Sequence, residues 1–252
     1  MKLGVALRRL FYVGNIDDLK ISIGKPLHES PGRVIHFVNA FSLICFLKEK
    51  TPIRAVFSST AVWVSDGIGA VLFAKATTSQ KLNRIPGPTF MEQFISENVS
   101  ANLRQAIIGG SAEDLAQIQG ALVEKYGTRF DLCISPPFAD PKNWPSDDYV
   151  QQLSTANIDI CWVALGTPLQ DEYAHLLNIA RPSTYICVGA GLDFISGKKS
   201  RAPRWMQKTG TEWVHRLITE PKRLWKRYTI GAFQFLYLTL IYWISKISNP
   251  VD

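Results

Sequence analysis

Residues 158–191 read IDICWVALGTPLQDEYAHLLNIARPSTYICVGAG. An apolar run over 158–165 meets a Gly-Thr-Pro turn, a helical pattern occupies Gln170–Ala180, and a second apolar run opens at Ser183. Two strands separated by about ten to fifteen helical residues make a βαβ unit, with parallel strands and a right-handed crossover. The same alternation extends outward. RVIHFVN (33–39) precedes a helical pattern over 40–49, AVWVSD (61–66) one over 67–76, and RQAIIGG (104–110) one over 112–126. FDLCIS (130–135) leads through a loop to a helix over 146–157. The prediction is an α/β, Rossmann-like fold: a mainly parallel sheet with helices on both faces, followed by a basic helical C-terminal appendage.

Ligands in such sheets collect where the carboxyl ends of strands run into helix N-termini. Those ends carry Asn39, Asp66, Gly109 with Gly110, and Ser135 with Pro136 and Pro137. Further along they carry Gly166 with Thr167, and Gly189 with Gly191 and Asp193. The alternation stops near Gly197, where GKKSRAP turns polar, so residues 1–198 are expected to form the core and 199–252 the appendage.

Composition sets the class. The chain has 252 residues, of which 46% are hydrophobic, with ordinary Gly and Pro content, which excludes disordered and fibrous proteins and allows one full-sized core. Cys45, Cys133, Cys161 and Cys187 lie far apart in apolar stretches, as buried reduced thiols do in a cytosolic protein. The N-terminal MKLGVALRRL has an apolar patch too short for a secretory leader. His28, His36, His175 and His215 are isolated and no D-x-D occurs, so no metal site and no cofactor are expected.

Charge is concentrated. Between Arg201 and Tyr228 eight Lys or Arg face only Glu212 and Glu220, a net +6 out of the chain's +7, interleaved with Trp205, Trp213 and Trp225. This pattern suits anionic phosphates at a membrane surface. An apolar run over 230–244 follows, shorter than the ~20 residues that cross a bilayer as a helix. It fits a helix in the membrane plane, or one packed on the domain or between subunits of a homo-oligomer. Arg216, Arg223 and Arg227 are spaced to share a helix face, but Pro221 interrupts them, and Thr219 is expected to cap a second helix with Pro221 in its first turn.

Asp66 stands where a carboxylate can take a proton from an incoming hydroxyl. A hairpin turn or a helix N-cap would also place Asp-Gly there. Thr167 and Gln170 can bind a base or sugar, with helix capping as the plainer role of Thr167. The GAGLDFISG turn lacks G-x-G-x-x-G and sits on the last strand, which disfavours an NAD-dependent Rossmann enzyme. A nucleic-acid-binding protein using the basic segment is the other rival.

Taken together, DGIGAVLFAK, RIPGPTFM, LGTPLQDE, VGAGLDFISG and the whole stretch over 201–228 resemble the WecG/TagA/CpsF family of bacterial glycosyltransferases. The resemblance implies an inverting, metal-independent transfer from a UDP-sugar donor to a polyprenyl-diphosphate-linked saccharide in surface-polysaccharide biosynthesis. It implies work at the cytoplasmic face of the bacterial inner membrane, with no nucleic acid involved. Carried over by motif, Asp66 resembles the general base. Asn39, Arg84, Gly166, Thr167, Gln170 and Asp193 resemble substrate-pocket residues, and Arg201, Arg216, Arg223 and Arg227 the cations that reach the lipid diphosphate. Two departures stand out: Phe37 replaces a common Thr two residues before Asn39, and Asp171 replaces a commoner Glu after Gln170.

Overall fold

The computed structural model describes residues 3–25, 32–48, 54–97, 103–137, 146–189 and 191–248. His28 and the loop preceding Ser146 fall outside these ranges. All six expected strands form: β1 (Arg33–Val38), β2 (Ala61–Ser65), β3 (Gln105–Ile108), β4 (Leu132–Ile134), β5 (Ile160–Val163) and β6 (Thr184–Cys187). They make one sheet in the order β2-β1-β6-β5-β3-β4, and every neighbouring pair is parallel.

The helices that alternate with these strands are α3 (Ala40–Phe46), α4 (Ile68–Thr78), α6 (Ala112–Tyr126), α7 (Asp147–Thr155) and α8 (Leu169–Ala180). Three further helices lie outside the alternation: α1 (Leu3–Leu10), α2 (Ile16–Ile23) and α5 (Gly87–Ser96). Local signals set their ends. Asn15 and Asp18 form a reciprocal capping box on α2, and Ser111 and Asp114 form another on α6. Gly127 closes α6 in the left-handed region at φ 63°, where a side chain would be strained.

Side chains from alternate strand positions enter separate layers. Ile35, Phe37, Ile107, Trp162 and Ile186 pack with α2, α5 and α6 on one face. On the other face, Val38 and Trp63 pack with α1, α3 and α4, while Val34, Cys161, Val163 and Cys187 pack with α7 and α8. Trp63 is fully buried, and its indole N–H donates to the Val56 carbonyl at 2.9 Å, so its one polar atom is satisfied. Cys45 and Cys133 are half-buried, Cys161 and Cys187 are buried, and all four are free thiols.

After β6 the chain runs through α9 (Gly191–Ile195), α10 (Arg204–Thr209), α11 (Glu212–Thr219) and α12 (Pro221–Ser248). Pro221 takes the first position of α12, where its missing N–H costs nothing. Thr219 does not cap that helix. It ends α11, and its hydroxyl donates back to the carbonyls of His215 and Arg216.

The apolar run over 230–244 is the middle of a 28-residue helix rather than a separate element. At about 1.5 Å per residue such a helix is about 42 Å long. By length and composition alone it is long and apolar enough to cross a membrane. In the fold it lies along α3 and α4. Leu224, Gly231 and Leu238 are buried, Phe235 and Tyr242 pack on Phe73 at 6.5 and 5.7 Å, and the Lys246 ammonium reaches the Ser79 hydroxyl at 2.7 Å. From Gly231 these positions recur every three to four residues, with Leu224 two turns earlier, and they form one stripe. Phe233, Leu236, Tyr237, Leu240, Trp243 and Ile247 point away from the core and are exposed.

Candidate active site

Register builds the site. Val38 pairs with Ser65 across β1 and β2, and the Asp66 N–H donates to the Val38 carbonyl at 2.9 Å, so Asn39 and Asp66 leave the sheet side by side. The Asn39 amide oxygen caps α3, accepting from Phe41 N–H at 3.0 Å and Ser42 N–H at 3.2 Å. Capping fixes the amide, and its nitrogen donates to Asp66 Oδ2 at 3.4 Å.

Asp66 neither caps α4 nor turns a hairpin. The N-cap position of α4 is Gly67, which makes no side-chain cap, and β2 runs parallel to β1. Instead Asp66 Oδ1 accepts from the Gly87 N–H at 3.0 Å. Gly87 comes this near because it sits on the Phe37 ring: a Cβ at Gly87 would meet Phe37 carbons at 3.0–3.3 Å. Phe37 in turn packs on Phe90 of α5 at 5.4 Å. Phe37, two residues before Asn39, thus forms the seat for a backbone donor to Asp66.

Burial pushes the Asp66 carboxyl above its ordinary value, and the Arg216 cation, the Gly87 N–H and the Asn39 amide pull it back. Arg216 stands over the Phe194 ring at 5.1 Å. It also lines a cavity of about 320 Å³ with Lys198, Lys199, His215 and Arg223, where Glu220 is the one acidic wall residue. Tyr228 faces Trp213 at 5.8 Å and shares the fields of Arg216, Arg227 and Asp66; burial raises its phenol pKa.

The remaining cations divide into two groups. Arg84 donates to the Gln207 carbonyl and pairs with Glu212 at 3.4 Å, which ties the RIPGP loop to α10 and α11. Arg201 pairs with Glu92 at 3.0 Å and Glu212 at 3.6 Å and donates to Thr89 at 2.8 Å. Arg223 pairs with Glu220. Arg216 and Arg227, by contrast, have no carboxylate partner among the described residues. Arg227 lies over the Phe41 ring at 3.5 Å, two residues beyond Asn39.

At the ends of β5 and β6 the geometry centres on Gln170, which is 3% exposed. Its side-chain oxygen accepts from Gly166 N–H at 3.2 Å and its nitrogen donates to Thr167 Oγ1 at 3.4 Å, so Thr167 contacts Gln170 while Pro168 holds the cap position. Gly189 adopts φ 54°, and a Cβ there would lie 3.6 Å from the Gln170 oxygen. Asp193, two residues beyond Gly191 in α9, pairs with Lys199 at 2.6 Å.

Sequence reading missed the Gly87 N–H, Glu212, and the cavity residues Lys198, Lys199 and His215. Glu212 carried a usable signal as one of two acids in a basic stretch. The Gly87 contact carried none, because it joins residues twenty-one positions apart through the Phe37 seat.

A carboxylate held by Asn39 and Gly87 beside Arg216, with Arg227 over Phe41, at the strand ends where such sheets bind ligands, is an arrangement suited to group transfer. The class so defined is a transferase of the α/β type. The model of the glycosyl transferase WecG/TagA/CpsF family matches residues 8–249, and the protein belongs to that family of glycosyltransferases. Over 197 residues, 78% of this chain and 75% of the relative, it is 28% identical to the N-acetylglucosaminyldiphosphoundecaprenol N-acetyl-beta-D-mannosaminyltransferase of Bacillus subtilis (strain 168).

Proposed function

We propose that the protein transfers a sugar, with inversion, from a UDP-sugar to a polyprenyl-diphosphate-linked saccharide at the cytoplasmic face of the bacterial inner membrane. The acceptor follows the relative, whose name specifies N-acetylglucosaminyldiphosphoundecaprenol, and the transferred sugar in this reading is an N-acetylhexosamine. One observation carries the mechanism: a desolvated carboxylate, Asp66, held by Asn39 and Gly87 N–H and facing Arg216, which has no carboxylate partner among the described residues.

In the reaction, Asp66 takes the proton of the acceptor hydroxyl as that oxygen bonds to the anomeric carbon. The bond from that carbon to the nucleoside diphosphate breaks on the opposite side, and its electron pair leaves with the diphosphate. Gln170, Gly166 and Thr167 hold the donor end. Arg216 and Arg227 take up diphosphate charge without a divalent ion, since neither is neutralised by a carboxylate among the described residues. Arg84, Arg201 and Glu212 hold residues 199–252 against the core over 1–198. The exposed apolar face of α12 meets the lipid surface.

The test is a panel of UDP-N-acetylhexosamines and UDP-hexoses incubated with the purified enzyme and N-acetylglucosaminyl-diphosphoundecaprenol in vesicles. The expected result is an extended lipid product with one donor and an inverted anomeric centre by NMR. No product with any donor, or retention of configuration, refutes the reading.

A further inference from the structure

Beneath the site lies a polar group that the mechanism above does not use. His36 of β1 and Asp171 of α8 meet at 2.8 Å between Nδ1 and Oδ1, with side chains 1% and 2% exposed. Cys187 pairs with His36 across β1 and β6, and its thiol donates to the Gln170 backbone carbonyl at 3.6 Å. Burial pushes that thiol well up, so it stays protonated and acts as a donor.

The group stabilises the fold poorly. A buried carboxylate carries a desolvation cost that one hydrogen bond does not offset, and well-packed apolar residues of similar size are often as stable or more so. Here His36 Nε2 and Asp171 Oδ2 also have no hydrogen-bond partner among the described residues, which adds to that cost. What the pair does supply is direction. Asp171 follows Gln170 in the first turn of α8, and His36 lies three residues before Asn39 on β1. A hydrogen bond has an angular preference that apolar contacts lack. It fixes the rotation of the first turn of α8 against β1, and with it the side chain that joins Gly166 and Thr167.

We propose that His36 and Asp171 are a buried positioning pair that sets the pose of Gln170 in the donor pocket, with Cys187 bracing the same turn from β6. The inference rests on the reading of Gln170, Gly166 and Thr167 as the UDP-sugar end of the site. His36 and Asp171 touch no substrate. They act through Gln170, and their removal raises the donor KM while leaving the acceptor KM in place.

The test compares wild type, His36→Asn, the double variant His36→Phe/Asp171→Leu, and Asp66→Asn. Each is measured by UDP titration calorimetry, donor and acceptor KM, thermal unfolding and metal content. The double variant removes the charge together with its partner, so it avoids leaving an unpaired carboxylate in the core. Expected for the double variant are an unfolding temperature at or above wild type, UDP affinity and donor KM worse on the order of tenfold, and an unchanged acceptor KM. His36→Asn keeps a donor near the Nδ1 position and recovers most of the UDP affinity. Asp66→Asn binds UDP as wild type does.

A double variant that folds and binds UDP within twofold of wild type overturns the inference and leaves the donor reading intact. A wild type that does not bind UDP takes down both. His36, Asp171 and Cys187 also place a nitrogen, an oxygen and a sulfur within 4.8 Å of one another. One equivalent of bound metal in the wild type, lost in the double variant, would make these residues ligands and overturn the positioning role.

Discussion

At the residue scale the decisive group is Asp66, a carboxylate that the fold makes harder to ionise. Its raised pKa means that the protonated form is favoured on folding. The stability this contributes is fully present below the unfolded carboxyl pKa and is lost as pH rises through the folded pKa. Asp66→Asn should therefore raise the unfolding temperature at pH 7, with the gain vanishing in acid, a stability gain at the expense of function. In the proposed mechanism the ionised form is the base, so activity is expected to fall on the acid side at a pH above the ordinary carboxyl value. Arg216→Gln removes the largest opposing charge and should move that acid limb to higher pH in a pH–rate profile, besides weakening diphosphate binding. Asp66 and Asn39 were legible in the sequence because strand ends are readable from apolar periodicity. The division among the arginines was not. Arg84 and Arg201 are engaged by Glu212 and Glu92, and only the folding of α10 and α11 over α5 brings those carboxylates to them.

At the element scale, α12 presents two apolar stripes. Its inner stripe holds the domain: Phe235→Ala, which strips the ring from Phe73, should cost about 2 kcal/mol, read as a fall of roughly 4–8 °C in unfolding temperature. Its outer stripe should matter only on lipid. Phe233→Glu, Leu236→Glu and Leu240→Glu together are expected to leave the unfolding temperature within about 2 °C of wild type and to abolish flotation with phosphatidylglycerol vesicles. Flotation unchanged by the triple substitution would remove the outer face of α12 from the membrane-binding role. The sequence showed a basic segment, a proline and an apolar run as separate features. Their joining into one helix depended on Pro221 falling at a helix start, where it is harmless, and on α3 and α4 offering a surface along its length. The N-terminal helices precede the first strand and α5 lies between α4 and β3, so none of them follows a strand in the alternation, although the Asn15–Asp18 capping box marked α2 locally.

At the scale of the whole molecule, the six strands were legible because a doubly wound sheet writes its layers into short apolar runs, each followed by a helix. The strand order was not, since β2 and β6 flank β1 through contacts that no local pattern encodes. That order arranges the candidate site: β2 beside β1 places Asp66 against Asn39, β6 on the other side ends at Gly189, β5 beyond it leads into the Gln170 turn, and α11 and α12 bring Arg216 beside Asp66 and Arg227 over Phe41. The central claim is that Asp66 removes the acceptor proton within this enclosure. Its most direct test is single-turnover sugar transfer to the lipid-linked acceptor in vesicles, comparing wild type with Asp66→Asn at saturating donor. The expected result is a rate lowered by about 10²–10⁴-fold with UDP affinity unchanged. A folded Asp66→Asn enzyme turning over within a few-fold of wild type would contradict it.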